Sequence, residues 1–367
     1  MADRISSCPD SILCYILSFL PTKQVGSTSV LSKRWNLLWH SVPSLDFDYP
    51  DGMYDDGQAC NRFILSLYSF LLWRDKEKTF HRFRLRFKSL YNHNEMETWI
   101  KLAIRRSGSL KHLNLSLHPG IAVPSVVFSC TTLVVLKLSN LMLKNISFVH
   151  LPFLIVLHLN SIYLSKDVDL PQFLSGCLNL VDLEVFNTVS DSNVKEFHSL
   201  PSLLRAEIDP TVVPLEVVKN VEILFADRLR KEDLVCDLQN LVQLEFAISV
   251  SSQGWPCVLE VFRCCPKLQN VFILIDGDLE AVLPYPLTVP TCISLHLQFC
   301  CLECYSGSAL EFQFAEYIML NANYLQIMEF RIDSDLYNNL LRRHHMIRDL
   351  SSCRKISYAC TLLFEKL

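Results

Sequence analysis

The chain has 367 residues, half of them hydrophobic, a fifth charged, with a formal net charge of −4. That balance gives no bulk drive toward nucleic acid, and the densest apolar stretch, Phe63 to Trp73, falls well short of the ~20 residues a membrane span needs. Only nine glycines are present, and none makes a Gly-x-Gly-x-x-Gly or P-loop spacing, so no phosphate cradle of backbone amides is expected.

The N-terminus, Met-Ala-Asp-Arg-Ile-Ser-Ser, has no basic stretch followed by an apolar run and does not read as a signal peptide. The 15 cysteines, an odd number, then point to reduced thiols in the cytoplasm or nucleus. Cys301 and Cys304 form a lone C-x-x-C, and the adjacent Cys264 and Cys265 supply no matching pair. A structural zinc needs four ligands, so no metal is expected.

From Pro9 the spacing of Ile12, Leu13, Ile16, Leu17 and Leu20 predicts a helix that Pro21 stops. Thr22 is placed to cap a second short helix through Val25. A third follows Val30 and Leu31 in Ser32-Lys33-Arg34-Trp35, with Leu38 and Trp39 beyond it. A bundle of some 40 residues is marginal alone, and its apolar side chains exceed what it can hide. The spacing is compatible with an ordinary self-contained core or with a face kept for a partner helix.

Residues Asp3 to Trp39 resemble an F-box in the form common in plants, through Pro9, the spaced aliphatics and Ser32-Lys33-Arg34-Trp35. Cys8 departs from the family's usual Leu and loses a few methylenes of contact. The resemblance implies docking onto a Skp-type adaptor and through it onto a cullin. The contacts would come from Cys8, Pro9, Ile12, Leu13, Ile16, Leu17, Leu20, Pro21, Val30, Leu31, Lys33 and Trp35.

After the F-box (1–45), an Asp- and Tyr-rich segment, Asp46 to Asp56, reads as a linker, followed by a helix from Gln58 to Trp73, closing a linker region at 79. A further helix starts at Asn94, with Glu97 as its capping partner and Trp99, Ile100, Ala103 and Ile104 on one face.

From 80 to 289 the pattern L-x-x-L-x-L recurs: Phe80, Phe83, Leu85; Leu110, Leu113, Leu115; Leu133, Leu136, Leu138; Leu154, Leu157, Leu159. Looser copies follow at Leu180, Leu183, Val185; Leu203, Ala206, Ile208; Val218, Val221, Ile223; Leu241, Leu244, Phe246; Leu268, Val271, Ile273. Cys292, Leu295, Leu297 and Leu325, Met328, Phe330 extend the series. Each unit ends in a short period-2 strand, and stacked units share one core. This predicts an α/β chain: an irregular leucine-rich-repeat solenoid, a curved sheet with helices or turns on its outer face. It accounts for Leu being about one residue in six. The Asn or Cys of the repeat consensus is replaced by Leu141, Ile162 and Thr188; Cys300 alone fits.

The residues between the repeat leucines face away from the core. In order they are Arg84, Arg86, Asn114, Ser116, Lys137, Ser139, His158 and Asn160, then Glu184, Phe186, Glu207, Asp209, Glu222 and Glu245, then Phe272, Leu274, His296 and Gln298. The acidic stretch with Phe186 and Phe272 suits a basic segment of a protein substrate; a solvated sheet face is the alternative. The stripe Arg82, Arg84, Arg86, Lys88 reads as protection of an edge strand in preference to a phosphate site.

From 290 to 367 a third block is predicted. Ser308 and Glu311 cap a helix bearing Phe312, Ala315, Ile318 and Ala322. A strand follows through Leu325, Met328 and Phe330, then a helix near Leu336 to Leu350 and an alternating strand from Ile356 to Phe364. This block resembles the FBD module, an α+β cap, and with the F-box and repeats it resembles the plant F-box/FBD/LRR-repeat family.

Nothing reads as catalytic. There is no H-E-x-x-H or G-x-S-x-G, and the adjacent His344 and His345 point about 100° apart on a helix. The resemblance implies a non-catalytic substrate-recognition subunit of an SCF-type cullin-RING ubiquitin ligase, with an unknown protein substrate, no cofactor, and neither nucleic acid nor membrane as partner. The alternative is a repeat scaffold working outside any ligase.

Overall fold

A computed structural model of the chain describes residues 5, 7–49, 57–75, 78–88, 93–166, 168–190, 197–234, 237–249, 254–276, 288–332 and 338–366. The chain divides into two compact units, Met1–His198 and Ser199–Leu367.

The first unit opens with α1 (Asp10–Leu17), α2 (Thr22–Ser27) and α3 (Trp35–Leu38). Pro9 and Pro21 are the extended residues just before α1 and α2, where a missing N–H is harmless. Leu13, Cys14, Leu17, Val25, Leu38 and Val42 form a small core, with Cys8, Leu20, Trp35 and Trp39 packed at its rim. No linker follows. Ser44–Asp48 is a strand, β1, and only the later part of the expected linker lies outside the described residues.

Then come α4 (Gly57–Leu72), β2 (Phe80–Phe87), α5 (His93–Ser107), β3 (Gly108–Leu117), β4 (Val135–Leu143), β5 (Val156–Leu164), α6 (Leu170–Ser175), β6 (Asp182–Phe186) and the two-residue β7 (Val189–Ser190). Helix α5 begins at His93, one residue ahead of the expected Asn94 start; the Asn94 side chain lies outside the described residues.

Strands β1 to β6 are parallel neighbours in chain order, and β7 adds to β5. Their register aligns the repeat leucines: Leu85 opposite Leu115, Leu115 opposite Leu138, Leu138 opposite Leu159, Leu159 opposite Val185. All are fully buried, so each strand sends alternate side chains into one shared layer. Helix α5 closes that layer with Met96, Trp99, Ile100 and Ala103, all fully buried. In α6, Phe173 meets Phe128 edge to face. Gly176, the residue after α6, lies under the Val149 carbonyl; a Cβ there would sit 2.4 Å from that oxygen.

The F-box helices are tied directly to this sheet. The Asp46 amide on β1 donates to Thr22 Oγ1 at 2.7 Å, so Thr22 holds the sheet's first strand and caps no helix with its side chain. Phe70 of α4 packs on Trp39 and Phe47 and meets the space above Gly26. The His40 ring hydrogen-bonds the Trp73 carbonyl at 2.7 Å. With β1 in place, β2 is an interior strand. Its arginines pair with β1 aspartates: Arg84 with Asp46 and Asp48, Arg86 with Asp48. The edge-protection reading of Arg82–Lys88 is therefore corrected.

The second unit contains β8 (Arg205–Ile208), β9 (Ile223–Ala226), β10 (Gln243–Ser249), α7 (Gly254–Cys264), β11 (Asn270–Asp276), α8 (Thr291–Leu295), β12 (Phe299–Tyr305), α9 (Ala309–Asn321), β13 (Ile327–Ile332), α10 (Leu340–Ser352) and β14 (Thr361–Lys366). These strands are again parallel neighbours in chain order. Ser308 and Glu311 do form a capping box, and the Glu311 carboxylate, nearly fully buried, also accepts from the Ser306 amide and hydroxyl.

Two repeats sit in a different register from the one expected. In β9 the buried set is Val221, Leu224 and Ala226, with Leu224 opposite Leu244. The expected Val218-Val221-Ile223 is three residues too early. In β12 it is Leu297, Cys300 and Leu302, with Cys300 opposite Val271. Cys292 and Leu295 belong to α8 instead. The last strand starts at Thr361, so Ile356 and Tyr358 precede it, and Tyr358 is exposed.

The repeats lack an Asn ladder for a specific reason. Asn140, Ser161, Asn187, Arg228 and Cys304 all have φ between 45° and 56°. Each is followed by a buried side chain: Leu141, Ile162, Thr188, Leu229 and Tyr305. A left-handed residue breaks the strand alternation and turns the next side chain inward. The consensus position is thus filled by packing, and Cys300, a core residue of β12, is not part of any ladder.

Candidate functional site

Helix α1 is apolar on both sides. Leu13, Cys14 and Leu17 face the core, while Ile12, Tyr15, Ile16 and Phe19 are 48–67% exposed. Val30, Leu31 and Leu37 are 64–85% exposed. Tyr15 and Phe19 meet edge to face with ring centroids 5.0 Å apart, which stiffens the patch. The Arg34 guanidinium reaches back to Asp10 and the Cys8 carbonyl, fixing the Ser-Lys-Arg-Trp block against the start of α1.

Of the expected adaptor contacts, Pro9, Ile12, Ile16, Pro21, Val30, Leu31 and Lys33 lie on the surface. Cys8, Leu20 and Trp35 are half-buried against the core. Leu13 and Leu17 are interior, 0% and 2% exposed, and serve packing. Ile5, Tyr15, Phe19 and Leu37 are exposed apolar residues that the sequence reading passed over. The signal was available: Tyr15 and Phe19 stand four apart, beside the Ile12–Ile16 pair.

On the open face of the first unit's sheet several charges are matched internally. His158 lies between Asp182, at 3.2 Å, and Glu184, at 3.0 Å. Asn160 donates to Glu184 at 3.2 Å. Glu184 is thus committed to its own sheet, and Phe186 beside it is half-buried.

In the second unit the register sets Glu207, Phe225, Glu245, Phe272, Cys301 and Glu329 side by side on successive strands. Arg205 pairs with Glu207 at 3.0 Å and lies 4.8 Å from the Phe225 ring centroid. Arg331 pairs with Glu329 at 2.7 Å and with Glu303, and lies 5.7 Å from the Phe272 ring centroid. Burial pushes the Glu245 carboxyl above its ordinary range, helped by Glu303 and Glu207 and opposed by Arg331 and Arg205.

Four expected face residues lie elsewhere. Asp209 follows the end of β8 and closes a turn, accepting from the Thr211 amide and hydroxyl. Glu222 precedes β9, and its place in the row belongs to Phe225. His296 and Gln298 likewise precede β12.

Among the described residues, no group of three His, Cys, Asp or Glu side chains is arranged to hold a metal. Burial raises the Cys300 thiol well above its ordinary value and the Cys301 thiol to about 12, so neither is poised as a nucleophile. No described helix is long and apolar enough to cross a membrane.

Comparison with known proteins matches the F-box domain at residues 5–47 and the FBD family at residues 285–330. An F-box/FBD/LRR-repeat protein of Arabidopsis thaliana is 28% identical over 99% of both chains. An F-box/LRR-repeat protein of the same plant is 30% identical over 92% of this chain and 83% of its own length. A second F-box/FBD/LRR-repeat protein is 30% identical over 89% of this chain and 70% of its own length. With a bundle that keeps aliphatics on its surface, leucines stacked in parallel register and a capped C-terminal block, the chain belongs to the F-box/FBD/LRR-repeat family.

Proposed function

We propose that this protein is a substrate-recognition subunit of an SCF-type cullin-RING ubiquitin ligase. Its F-box engages a Skp-type adaptor, and its repeats hold a protein substrate. The observation that carries this reading is the set of outward apolar side chains Ile12, Tyr15, Ile16, Phe19, Val30, Leu31 and Leu37. Covering one such side chain is worth about 1.5–3 kcal/mol, so an adaptor helix gains several kcal/mol from residues the bundle itself does not need.

The chain does no chemistry of its own in this reading. It raises the local concentration of substrate near the transfer enzyme. Anchoring of β1 to Thr22 and of Phe70 to Trp39 suits that task, because the F-box and the first strands then move as one body. The free cysteines, several of them buried, suit a reducing compartment, cytoplasm or nucleus.

The test is co-purification of a Skp-type adaptor and a cullin with the wild-type chain and with Ile16→Asp plus Phe19→Asp. Both positions are exposed, so the variant keeps its core; Leu17 is unsuitable because it packs inside. Loss of both partners in the variant supports the reading. Adaptor capture without cullin points to a scaffold acting outside a ligase.

A further inference from the structure

The second unit's open face repeats one arrangement. Arg205 lies over the Phe225 ring and against Glu207. Arg331 lies over the Phe272 ring and against Glu303 and Glu329. Twice, then, a guanidinium is held by a phenyl ring and a carboxylate. Between them stands Glu245, with Phe225 as its strand neighbour on one side and Phe272 on the other. It has the phenyl groups and the carboxylate but makes no hydrogen bond or ion pair among the described residues. The carboxylates Glu207, Glu245, Glu303 and Glu329 outnumber the two guanidiniums Arg205 and Arg331, so the cluster is short of positive charge.

We infer that this face docks a basic segment of a protein partner, whose lysine or arginine side chain seats on Glu245 between Phe225 and Phe272. Adjacent strands are ~4.8 Å apart, so the strands bearing the two rings stand roughly 10 Å apart with Glu245 on the strand between them, and a cation brought to Glu245 comes within reach of both rings. An acidic segment is refused, because it would add to the unbalanced carboxylates.

A purely solvated face gives no reason to keep a charge at this point. Glu245 is half-buried beside like charges, and its carboxyl is raised accordingly. A neutral Gln would fit the free protein better. A carboxylate that costs stability in the free chain and gains a partner on binding is the signature of a binding group.

The inference rests on the reading of the repeats as the substrate-holding part, and its test is independent of the adaptor. The probe is a fluorescein-labelled twelve-residue synthetic peptide of repeating Gly-Ser-Lys, with a Gly-Ser-Glu counterpart, titrated by anisotropy into the full chain at low salt. The Lys peptide binds and the Glu peptide does not. Glu245→Gln weakens binding about tenfold and Glu245→Lys abolishes it, while Glu97→Gln, on an exposed turn of α5, leaves it unchanged. Thermal unfolding of Glu245→Gln, at or above the wild-type midpoint, separates lost binding from lost fold. Equal binding of both peptides, no binding of the Lys peptide, or binding indifferent to Glu245→Lys overturns the inference. A chain that captures the adaptor but fails these titrations loses this inference alone. One that binds the Lys peptide through Glu245 but never captures the adaptor loses the ligase reading alone.

Discussion

The F-box and the sheet that follows it use the same aliphatic residues in opposite ways. In the sheet, leucines alternate with polar residues at period 2, and every repeat leucine turns inward: Leu113, Leu136 and Leu157 are all fully buried. In α1, aliphatic and aromatic residues surround the helix, and a core of six buried residues can take only one side. A sheet that stacks can hide all its leucines; a small bundle cannot. Exposed apolar surface here marks a place held for a neighbour.

The largest effect that sharpens this contrast is in the sheet. Leu138→Ala removes a fully buried side chain and is expected to cost about 2–5 kcal/mol. Ile16→Ala, half exposed on α1, is expected to change stability by less than about 0.5 kcal/mol. Chemical unfolding of both variants checks the pair, and equal losses would break the contrast.

Gly176→Ala comes next. Its Cβ would sit 2.4 Å from the Val149 carbonyl oxygen, so backbone must shift, at about 1–3 kcal/mol. A thermal scan against wild type measures it.

Thr22→Val tests the tie between the two regions. It keeps the buried volume but removes the acceptor for the Asp46 amide, at about 1–2 kcal/mol. Hydrogen exchange at that amide should speed up while amides of β4 stay protected.

The smallest effect is at Glu245. Its carboxyl is raised in the folded chain, so the folded state holds the proton more tightly than the unfolded one. The charged form therefore costs stability at neutral pH, and the cost fades as pH falls through the raised value. Glu245→Gln should raise the unfolding midpoint at neutral pH, with the gap to wild type closing on acidification. An unchanged gap across that range would remove the electrostatic account of this face.

The same contrast explains what the sequence disclosed. Repeats such as Leu133-Leu136-Leu138 were legible because Leu fills every inward place and polar residues fill the rest. The β9 and β12 repeats were misregistered because two overlapping triplets fit the same spacing. Val221 is the middle of one triplet and the start of the other, and Leu297 ends one and begins the other; only the pairing of Leu224 with Leu244 and of Cys300 with Val271 decides. β1 was hidden because Asp46 and Asp48 make it look like linker; arginines on the next strand neutralise them. In α1 no polar face existed to tell inside from outside, so Leu17 and Ile16 looked alike. The Phe225 position followed from the register and was lost with it.

The most direct test of the central claim is adaptor capture by a chain altered only on its exposed F-box face. Ile16→Asp plus Phe19→Asp should keep the wild-type unfolding midpoint and lose the Skp-type adaptor and cullin from the purified complex. Undiminished capture by that folded variant would contradict the account.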